Sequence, residues 1–429
     1  MLHNPAPGYI DNYYSRTLDN DTHYPVLQGD VRADVCVIGG GLAGINTALG
    51  LAKRGRSVVL IEAKRVGWAA SGRNGGFVAK GFAADDAYLI KKLGLEHTRK
   101  LTELAVNARG LIRQRIADYN IDCGPLTPGV LIVSVKDQEA SIQDNVKKTN
   151  DNFGHGLEYW PTEKVRESLK SEKYFQGYLS PHDFQFHPLR YVQGLAKICT
   201  DMGVKIHESS EAQAIDKENS DWRVKTAFGS VLARDIVICC SCYSKGLDLR
   251  MERSVLPVKS YVMVTKPLPE ELLAASVNTL HPVYDMRWSC DYYRVLPEER
   301  RILWGGRVGL LAEPHSIAKA MIGDMLKVYP QLKGQVEADL AWSCLMCYAP
   351  HKMPQIGQMA PGYWYNMGFG GHGLVPTTVG GEVIASAIAG EDDRVNLFEP
   401  FGMRYAGGVF GPYVAQMLYW MWRLRDYTG

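Results

Sequence analysis

One stretch constrains the fold more than any other: a glycine fingerprint set between an apolar strand and a helix. Residues 33–63 read ADVCVIGGGLAGINTALGLAKRGRSVVLIEA. Gly39, Gly41 and Gly44 form the pattern G-x-G-x-x-G, which begins where the apolar run 35–38 ends. A continuous run of this kind is typical of a parallel strand buried on both faces. The stretch therefore predicts a Rossmann-type α/β unit.

The parts of this fingerprint have separate physical roles. The first glycine permits the tight turn, the second lets the backbone approach a pyrophosphate, and the third allows close packing of helix on strand. The helix N-terminus offers N–H groups and a positive dipole to the anion. A second predicted strand, 57–61, ends on Glu62, whose carboxylate can accept hydrogen bonds from a ribose hydroxyl and disfavours NADP. The fingerprint predicts dinucleotide binding, with a purely structural turn as the alternative.

Two further glycine-rich segments favour FAD over NAD. The first, VGWAASGRNGG at 66–76, can wrap close to a second phosphate or to the flavin ring. Its positions of interest are Ser71, Arg73, Asn74, Gly75 and Gly76. The second, GFGGHG at 368–373, precedes a helix predicted from about 376 to 389. The N-terminus of that helix could stabilise negative charge on a reduced flavin, a feature that an NAD dehydrogenase would not need.

Composition excludes some classes of partner. The 429 residues carry 48 basic and 46 acidic side chains, a balance that gives no reason to expect nucleic acid. We expect no signal peptide, and the nine scattered cysteines favour a reduced, cytoplasmic protein. No metal is expected, because the pair Cys344 and Cys347 has no second pair at ligand spacing.

The C-terminal segment VAQMLYWMWRLRD is a candidate amphipathic helix. Packing against its own domain or a sister subunit is the favoured interpretation. Trp420 and Trp422 keep attachment to a membrane surface open, which would suit a dehydrogenase that reduces quinone.

The chain resembles the D-amino-acid oxidase-like superfamily of FAD-dependent oxidoreductases, and within it the γ-glutamylputrescine oxidases. The resemblance rests on the segments above, on WPTEKVRESLKSEKYFQGYLSP at 160–181 and on HPLRYVQGLA at 187–196, and it extends over nearly the whole chain. It implies a discontinuous Rossmann-type FAD-binding domain interleaved with an α+β substrate domain that carries an antiparallel sheet. The implied FAD-binding segments are 30–85, 186–250 and 340–395, the substrate segments are 86–185 and 251–339, and the tail is 396–429.

The resemblance also implies a reaction. A hydride would pass from the carbon beside a neutral amine nitrogen to flavin N5, the imine would hydrolyse in water, and the electrons would go to O2. The alternatives are a dehydrogenase that reduces a quinone or another acceptor, and a tailoring oxidase that acts on an amino-acid-derived substrate. A non-catalytic dinucleotide-binding protein is disfavoured by the second glycine-rich helix start.

Candidate catalytic residues follow from the same resemblance. Gly371, His372 and Gly373 would lie near the flavin, with the imidazole of His372 or only its backbone taking part. Arg307 falls where related enzymes place a basic residue that helps to activate oxygen; a structural strand arginine is the alternative. Cys344 lies close to the position of a cysteine that bonds covalently to flavin in some relatives, although a buried core thiol is the default.

The nature of the substrate stays open at this level. A carboxylate-bearing substrate would need an arginine clamp, for which the candidates are Arg287, Arg294 and Arg307. A cationic amine would need an aromatic cage and acidic neighbours. The candidates for these are Trp288, Tyr292, Tyr293, Asp285 and Asp291.

Overall fold

A computed structural model describes residues 4–19, 21–244, 246–310 and 314–428, which fold around two large β-sheets. The strands are β1 (Gly29–Ile38), β2 (Val58–Ile61), β3 (Phe77–Val78), β4 (Thr127–Val133), β5 (Glu158–Trp160), β6 (Gly177–Gln185), β7 (Lys205–His207), β8 (Ala214–Glu218), β9 (Asp221–Lys225), β10 (Gly229–Ile238), β11 (Leu256–Thr265), β12 (Val283–Asp285), β13 (Tyr292–Leu296), β14 (Arg301–Gly309), β15 (Ala338–Tyr348), β16 (Gln355–Ala360) and β17 (Tyr363–Met367).

Helices cover both sheets. The α-helices are α1 (Tyr13–Arg16), α2 (Leu42–Lys53), α3 (Asp86–Leu93), α4 (Leu95–Asp118), α5 (Glu139–Phe153), α6 (Thr162–Leu169), α7 (Pro188–Asp201), α8 (Leu249–Ser254), α9 (Glu270–Ala274), α10 (Ile317–Val328), α11 (Leu374–Ala389) and α12 (Gly411–Thr428). Short 3₁₀ helices lie at Ala70–Gly72, Ser241–Tyr243, Pro297–Glu299, Pro330–Leu332, Arg394–Phe401 and Gly408–Phe410. Helix α11 begins two residues earlier than its sequence pattern indicates.

The first sheet is the predicted Rossmann-type unit. Its strands lie in the order β16-β17-β10-β1-β2-β7, and the hairpin β8–β9 joins β10 through β9. The core of the sheet is parallel from β17 to β7. Val35 and Val37 of β1 pack with apolar residues of α2, α7 and α11, whereas Cys36 and Ile38 pack into a separate core on the other face. Burial of both faces explains the unbroken apolar run of β1.

The second sheet belongs to the substrate domain. Its order is β15-β11-β14-β13-β12-β4-β6-β3, with β5 paired to β6, and all neighbours are antiparallel except β12 and β4. One face packs toward the first unit through residues such as Val262 and Leu303. The other face carries Tyr293 and Trp304, whose rings stack at 4.4 Å in a core closed by α10. The predicted combination of an α/β cofactor domain and an α+β substrate domain is confirmed.

Two predicted domain boundaries need correction. The expected cofactor segment 30–85 includes β3, which pairs with β6 in the second sheet. The expected boundary at 340 cuts β15, which pairs with β11 along its length. Neither pairing is visible in local sequence, because it depends on which distant strand each segment meets.

The C-terminal tail is helical, as its sequence pattern indicates. The preceding 3₁₀ segment buries Phe398 and Phe401, and α12 follows it. Trp420 is 61% exposed, whereas the side chains of Trp422 and Arg423 lie outside the described part of the structure. None of the described helices combines the length and apolarity that crossing a bilayer requires.

Candidate functional site

The glycine fingerprint makes a tight turn from β1 into α2. Gly39 has φ of 110°, and a Cβ there would lie 3.1 Å from the backbone carbon of Cys239. A Cβ at Gly44 would lie 1.9 Å from the carbonyl oxygen of Gly39, so α2 rests directly on the end of β1. These two positions therefore take the roles expected of the first and third glycines of the fingerprint.

The N-terminus of α2 presents hydrogen-bond donors. Gly41 is the N-cap residue and supplies no side-chain bond. The N–H of Leu42 donates to Ser71 Oγ at 2.9 Å. The N–H groups of Gly41 and Ala43 find no acceptor among the described residues. Such donors, together with the helix dipole, favour an anion such as a pyrophosphate at this point.

Glu62 stands beside this turn at the carboxyl end of β2. Its Oε2 accepts from the N–H of Gly40 at 2.6 Å, and its Oε1 accepts from the N–H of Lys64 at 2.8 Å. Burial raises the pKa of the Glu62 carboxyl group, while these backbone donors oppose that effect. The carboxylate is therefore fixed next to the start of α2, and its contact with a ribose hydroxyl stays a prediction.

The loop at 66–76 is folded by Asn74. The Asn74 amide donates to the carbonyl of Ala70 at 2.9 Å, and its Oδ1 accepts from the N–H of Gly76 at 2.8 Å. A Cβ at Gly75 would lie 2.7 Å from the ring of Tyr292. This loop thus packs against the second sheet. The hydrogen bonds of Asn74 to the backbone stabilise the conformation of the loop.

Arg73 ties the same loop to β15. Its Nη1 donates to the carbonyl of Ser343 at 3.1 Å, and its guanidinium lies 4.9 Å from the ring centroid of Trp68. The indole of Trp342 donates to the carbonyl of Arg73 at 3.0 Å. The described contacts of Arg73 are therefore with protein, and a direct contact with cofactor stays a prediction.

The segment GFGGHG connects β17 to α11. Gly370 donates its N–H to the carbonyl of Cys347 at 2.7 Å, and a Cβ at Gly371 would lie 2.8 Å from the hydroxyl of Tyr348. Gly373 is the N-cap residue of α11 and, like Gly41, supplies no side-chain bond. Helix α11 then packs on α2, since a Cβ at Gly381 would lie 2.7 Å from Asn46.

Two helix starts without side-chain caps therefore lie at one edge of the first sheet. The strands β1 and β17 run parallel on either side of β10, so their carboxyl ends and the helices α2 and α11 meet there. This is the edge at which open α/β sheets bind ligands. The donors at α2 suit a pyrophosphate, Glu62 suits a ribose, and the glycine-rich backbone at 368–373 suits close approach of a planar ring. The residues present fit FAD.

His372 lies beside this edge and close to Asp183. We call the region between the glycine segment 368–373 and the facing side of the second sheet the recess. The side chain of His372 is exposed to solvent. The surrounding protein nevertheless lowers the pKa of the imidazole, and the charge of Asp183 only partly opposes this shift. This direction of the shift favours the neutral form of the ring. The loop that follows β3 contacts the same segment, because a Cβ at Gly370 would lie 3.1 Å from the Cβ of Ala83.

One face of the second sheet forms a tyrosine-lined wall opposite the glycine segments. Strand pairing places Tyr284 beside Tyr292 and, through Ile132, beside Tyr178 on the same face. Tyr348 borders Gly371, as described above. Burial raises the pKa of Tyr178 and of Tyr348 to about 12, so both hydroxyls stay protonated and able to donate. The alternation of side chains in a strand could have predicted that each tyrosine lies on one face of its own strand. It could not have predicted that the tyrosines of different strands share one face of the sheet.

Charged residues that sequence reasoning missed gather at one end of this wall. Arg109 Nη1 donates to Asp183 Oδ1 at 2.6 Å, and the N–H of Lys80 donates to the same oxygen at 3.2 Å. Burial lowers the pKa of Lys80 and raises the pKa of Asp86, and their mutual attraction opposes both shifts. Lys80 and Asp86 follow the loop at 66–76 closely in sequence, and this proximity could have indicated that they lie near the site.

Arg307 does not join the glycine segments. It is the extra residue where the register of β11 and β14 shifts, and its backbone φ is 44°. This bulge turns its guanidinium to Asp324 of α10, with Nη2 at 3.1 Å from Oδ1. Helix α10 covers the face of the sheet opposite the tyrosine wall. The expectation that Arg307 lies over the flavin is therefore not supported, because a bulge redirects the side chain.

Arg287 is likewise occupied on the far face. Its Nη2 lies 2.5 Å from an oxygen of Asp285 and 2.5 Å from an oxygen of Asp291. Both carboxylates are almost fully buried, and desolvation raises the pKa of Asp291 to about 7. Arg287 and the acidic neighbours proposed from sequence therefore neutralise each other and do not face the tyrosine wall.

The aromatic cage predicted from sequence is only partly assembled. Tyr292 lies on the wall, but Tyr293 points to the opposite face and stacks on Trp304. Arg294 is buried and donates to Tyr14 Oη at 3.3 Å and to Gln185. Alternation along β13 separates neighbours onto opposite faces.

The cysteines are reduced and mostly buried. Cys344 pairs with Ser260 across β11 and β15, on the same face as Tyr292. Burial raises the pKa of the Cys344 thiol to about 11, against the opposing charge of Arg73. A protonated thiol is a poor nucleophile, so the geometry gives no support to covalent attachment of flavin. Within the described ranges, no cluster of three or more histidine, cysteine or acidic residues could hold a metal.

Comparisons with known proteins agree with this site. Residues 34–387 match the DAO family, described as FAD dependent oxidoreductase. The chain is 32% identical over 405 residues to the "Probable oxidoreductase OrdL" of Haemophilus influenzae, covering 93% of each protein. It is 29% identical over 392 residues to the "Gamma-glutamylputrescine oxidoreductase" of Escherichia coli, covering 91% of each.

Solved structures show the same fold at lower identity. Glycine oxidase from Geobacillus kaustophilus superposes with a TM-score of 0.72 at 19% identity, over 87% of this chain and 98% of that one. L-proline dehydrogenase from P. horikoshii gives a TM-score of 0.72 at 19% identity, over 88% and 100%. With the family match over residues 34–387 and the uncapped helix starts that suit FAD, the chain belongs to the DAO family of FAD-dependent oxidoreductases.

Proposed function

We propose that this enzyme oxidises the C–N bond of a small cationic amine that carries no α-carboxylate, and passes the electrons to O2. Bound FAD would supply the hydride acceptor, flavin N5. One observation carries the proposal: the recess beside the glycine segments is walled by tyrosines and carries Asp86 and Asp183, while Arg287 and Arg307 are ion-paired on the far face of the sheet.

The side chains of the recess suit an amine. Tyrosine faces attract an ammonium group. Asp86 adds to that attraction, whereas the charge of Asp183 is balanced by Arg109. The reaction needs a neutral nitrogen, because its lone pair assists the departure of the hydride. His372 is neutral in the recess, and we assign to its imidazole the acceptance of the ammonium proton. The resulting imine would hydrolyse in water.

The comparisons support the class of reaction. A relative at 29% identity is named for γ-glutamylputrescine, an amine, whereas the structural neighbours include proteins named for glycine and for L-proline. Those neighbours act on α-amino acids by name. The ion pairs of Arg287 and Arg307 on the far face remove two candidates for a carboxylate clamp and so favour the amine.

Anaerobic bleaching of the flavin tests the substrate class directly. The purified FAD-loaded protein is mixed with an N-acylated diamine, a simple alkylamine, sarcosine, glycine or D-alanine. We expect bleaching by the amines and none by the α-amino acids. Bleaching by the α-amino acids alone would refute the carboxylate-free substrate while leaving C–N oxidation intact, and bleaching by none would refute both.

Asp86 offers a sharper test, with its neighbour as control. We expect Asp86→Asn to raise KM for the amine by about tenfold, since one lost charge contact is worth roughly 1.4 kcal/mol. Asp85→Asn is the matched control: Asp85 is exposed and caps α3 through the N–H of Tyr88, a bond that asparagine also makes. An equal effect of both substitutions on KM would contradict the role of Asp86.

The electron acceptor needs its own measurement. Release of about one peroxide per amine oxidised in air would support O2. A second candidate, a dehydrogenase that reduces a membrane quinone, is favoured by the exposed apolar residues of α12. Absence of peroxide, together with faster turnover when a soluble quinone is added, would establish that candidate instead.

A further inference from the structure

Helix α12 turns polar groups toward the protein. The side chain of Gln416 accepts from the N–H of Leu310 at 3.0 Å. The hydroxyl of Tyr419 accepts from the N–H of Val308 at 3.2 Å and lies 3.0 Å from Ser289 Oγ. Gln416 and Tyr419 are both buried, so hydrogen bonds to the end of β14 fix the orientation of the helix.

The opposite side of α12 is apolar and faces solvent. We call this set of side chains the apolar face. Its members on α12, with their exposed fractions, are Tyr413 (58%), Val414 (56%), Met417 (67%), Leu418 (39%), Trp420 (61%) and Met421 (56%), and Phe410 (71%) of the preceding 3₁₀ helix adjoins them. An ordinary surface helix buries its apolar side and exposes its polar side. A contiguous apolar surface of this kind marks an interaction site, whereas single exposed apolar residues do not.

A basic cleft adjoins the N-terminal end of this helix. It has a volume of about 390 Å³ and is lined by Arg250, Arg253 and Arg404, with Tyr405 69% exposed at its edge. The backbone links the cleft to the helix, since the N–H of Ala406 donates to the carbonyl of Arg253 at 2.8 Å.

The charges of this cleft are largely uncompensated. Arg250 lies 3.4 Å from Asp248, and Glu252 is exposed nearby. Arg253 and Arg404 have no acidic partner within 4.0 Å among the described residues. At the far end of the apolar face, Arg425 is also exposed.

We propose that the apolar face and the basic cleft together dock the protein on the surface of an anionic phospholipid bilayer. A helix lying in the interface inserts its apolar side to the depth of the headgroups, where tryptophan and tyrosine are favoured. Arginines beside it attract anionic headgroups. A second copy of the chain fits less well, because arginines flank both ends of the face and would meet like charges. The surface lies on the membrane and does not cross it.

Docking of this kind would bring the recess close to the membrane. Ser289, which contacts α12, belongs to the loop between β12 and β13. Cys290 in the same loop is close enough to Tyr348 to influence the pKa of its hydroxyl. Helix α12 therefore separates this loop from the membrane surface by one helix diameter, roughly 10 Å.

Sedimentation with lipid vesicles tests the proposal. The FAD-loaded full chain is mixed with vesicles of phosphatidylcholine alone, or of phosphatidylcholine with about a third of phosphatidylglycerol, at low and high salt. We expect binding to the anionic vesicles, weaker binding at high salt, and little binding to the neutral vesicles. Absence of binding to the anionic vesicles would overturn the proposal.

Substitutions separate the two contributions. Trp420→Glu and, as a second variant, Met417→Glu should each weaken vesicle binding by about tenfold or more. Arg253→Glu should weaken binding to anionic vesicles by about fivefold. Phe228→Glu is the matched control, because Phe228 is 69% exposed on the turn between β9 and β10, and it should change nothing.

Two controls keep the result unambiguous. Flavin absorbance and turnover of a soluble amine should be unchanged in all four variants, which shows that the fold is intact. Light scattering reports the oligomeric state. Equal binding by Trp420→Glu and the wild type would contradict the proposal, as would a stable dimer that Trp420→Glu dissociates, since that result assigns the apolar face to a second copy.

Discussion

The contact between Gly44 and Gly39 allows a quantitative prediction for Gly44→Ala. A Cβ at Gly44 would lie 1.9 Å from the carbonyl oxygen of Gly39, whereas ordinary contacts begin at 3.4 Å. Helix α2 would therefore have to move by about 1.5 Å, the difference between these two distances. Helix α11 resists that movement, because a Cβ at Gly50 would already lie 2.8 Å from the Cβ of Ala385.

The displacement would act on FAD affinity and on stability. Two N–H groups at the start of α2 would move out of hydrogen-bonding range of the pyrophosphate. Hydrogen bonds to charged groups contribute about 1.5–3 kcal/mol each, so the loss is about 3–6 kcal/mol, or about 10²–10⁴-fold in the Kd for FAD. Strain that remains in the packed core should lower the free energy of unfolding by about 1–3 kcal/mol.

Titration of the FAD-free protein, followed by flavin fluorescence, measures the Kd, and urea unfolding measures the stability. Gly110→Ala is the matched control: Gly110 lies inside α4 with no atom within 4 Å of an added Cβ. That substitution should stabilise the protein by about 0.5–1 kcal/mol and leave FAD binding unchanged. If Gly44→Ala binds FAD within about threefold of the wild type, the steric argument is refuted.

Three further predictions concern two buried carboxylates and one close contact. Arg109→Met leaves the buried carboxylate of Asp183 without its ion-pair partner and should lower the free energy of unfolding in urea by about 3–5 kcal/mol. The double variant with Asp183→Asn should recover part of this loss. An unchanged stability of the single variant would contradict a stabilising role of the ion pair. The pKa of Asp291 is raised to about 7 from roughly 3.9 in the unfolded chain, so its contribution to stability is fully present below about pH 4 and is lost as the pH rises to about 7. Asp291→Asn should therefore flatten the fall in melting temperature between about pH 4 and 7, and parallel curves would refute this. The added Cβ of Gly371→Ala would lie 2.8 Å from the hydroxyl of Tyr348, and the substitution should lower kcat/KM by about tenfold. Removing that hydroxyl with Tyr348→Phe should restore kcat/KM. Failure of this rescue would show that another contact is responsible.

Local sequence predicts well those features whose conformation depends only on neighbouring residues. The fingerprint from Val35 to Glu62 is one continuous unit, and each of its parts needs only the residues beside it to form a strand, a turn and a helix start. The second helix start after the segment 368–373 is equally local. Because backbone conformation and helix capping depend on nearby residues, these parts could be predicted without the fold.

The orientation of side chains in the second sheet could not be read in the same way. Tyr292 and Tyr293 are adjacent in sequence, but one lies on the wall and the other in the far core. The position of Arg307 along the chain predicts a place over the flavin. A single bulge in β14 instead turns its side chain toward Asp324. Strand register and bulges depend on distant partners, so a local pattern leaves the choice of face undetermined.

The sequence by itself determined the tight turn after β1 and the two helix starts at which we propose that FAD binds, because the conformation of these parts depends on their own backbone. Only the tertiary structure decided what surrounds the recess. It brought Asp86, Asp183 and His372 to one place, paired Arg287 and Arg307 on the far face, and left the apolar face of α12 exposed. Those outcomes depend on contacts between residues far apart in the chain, where the energy of a side chain is set by its partner and by burial.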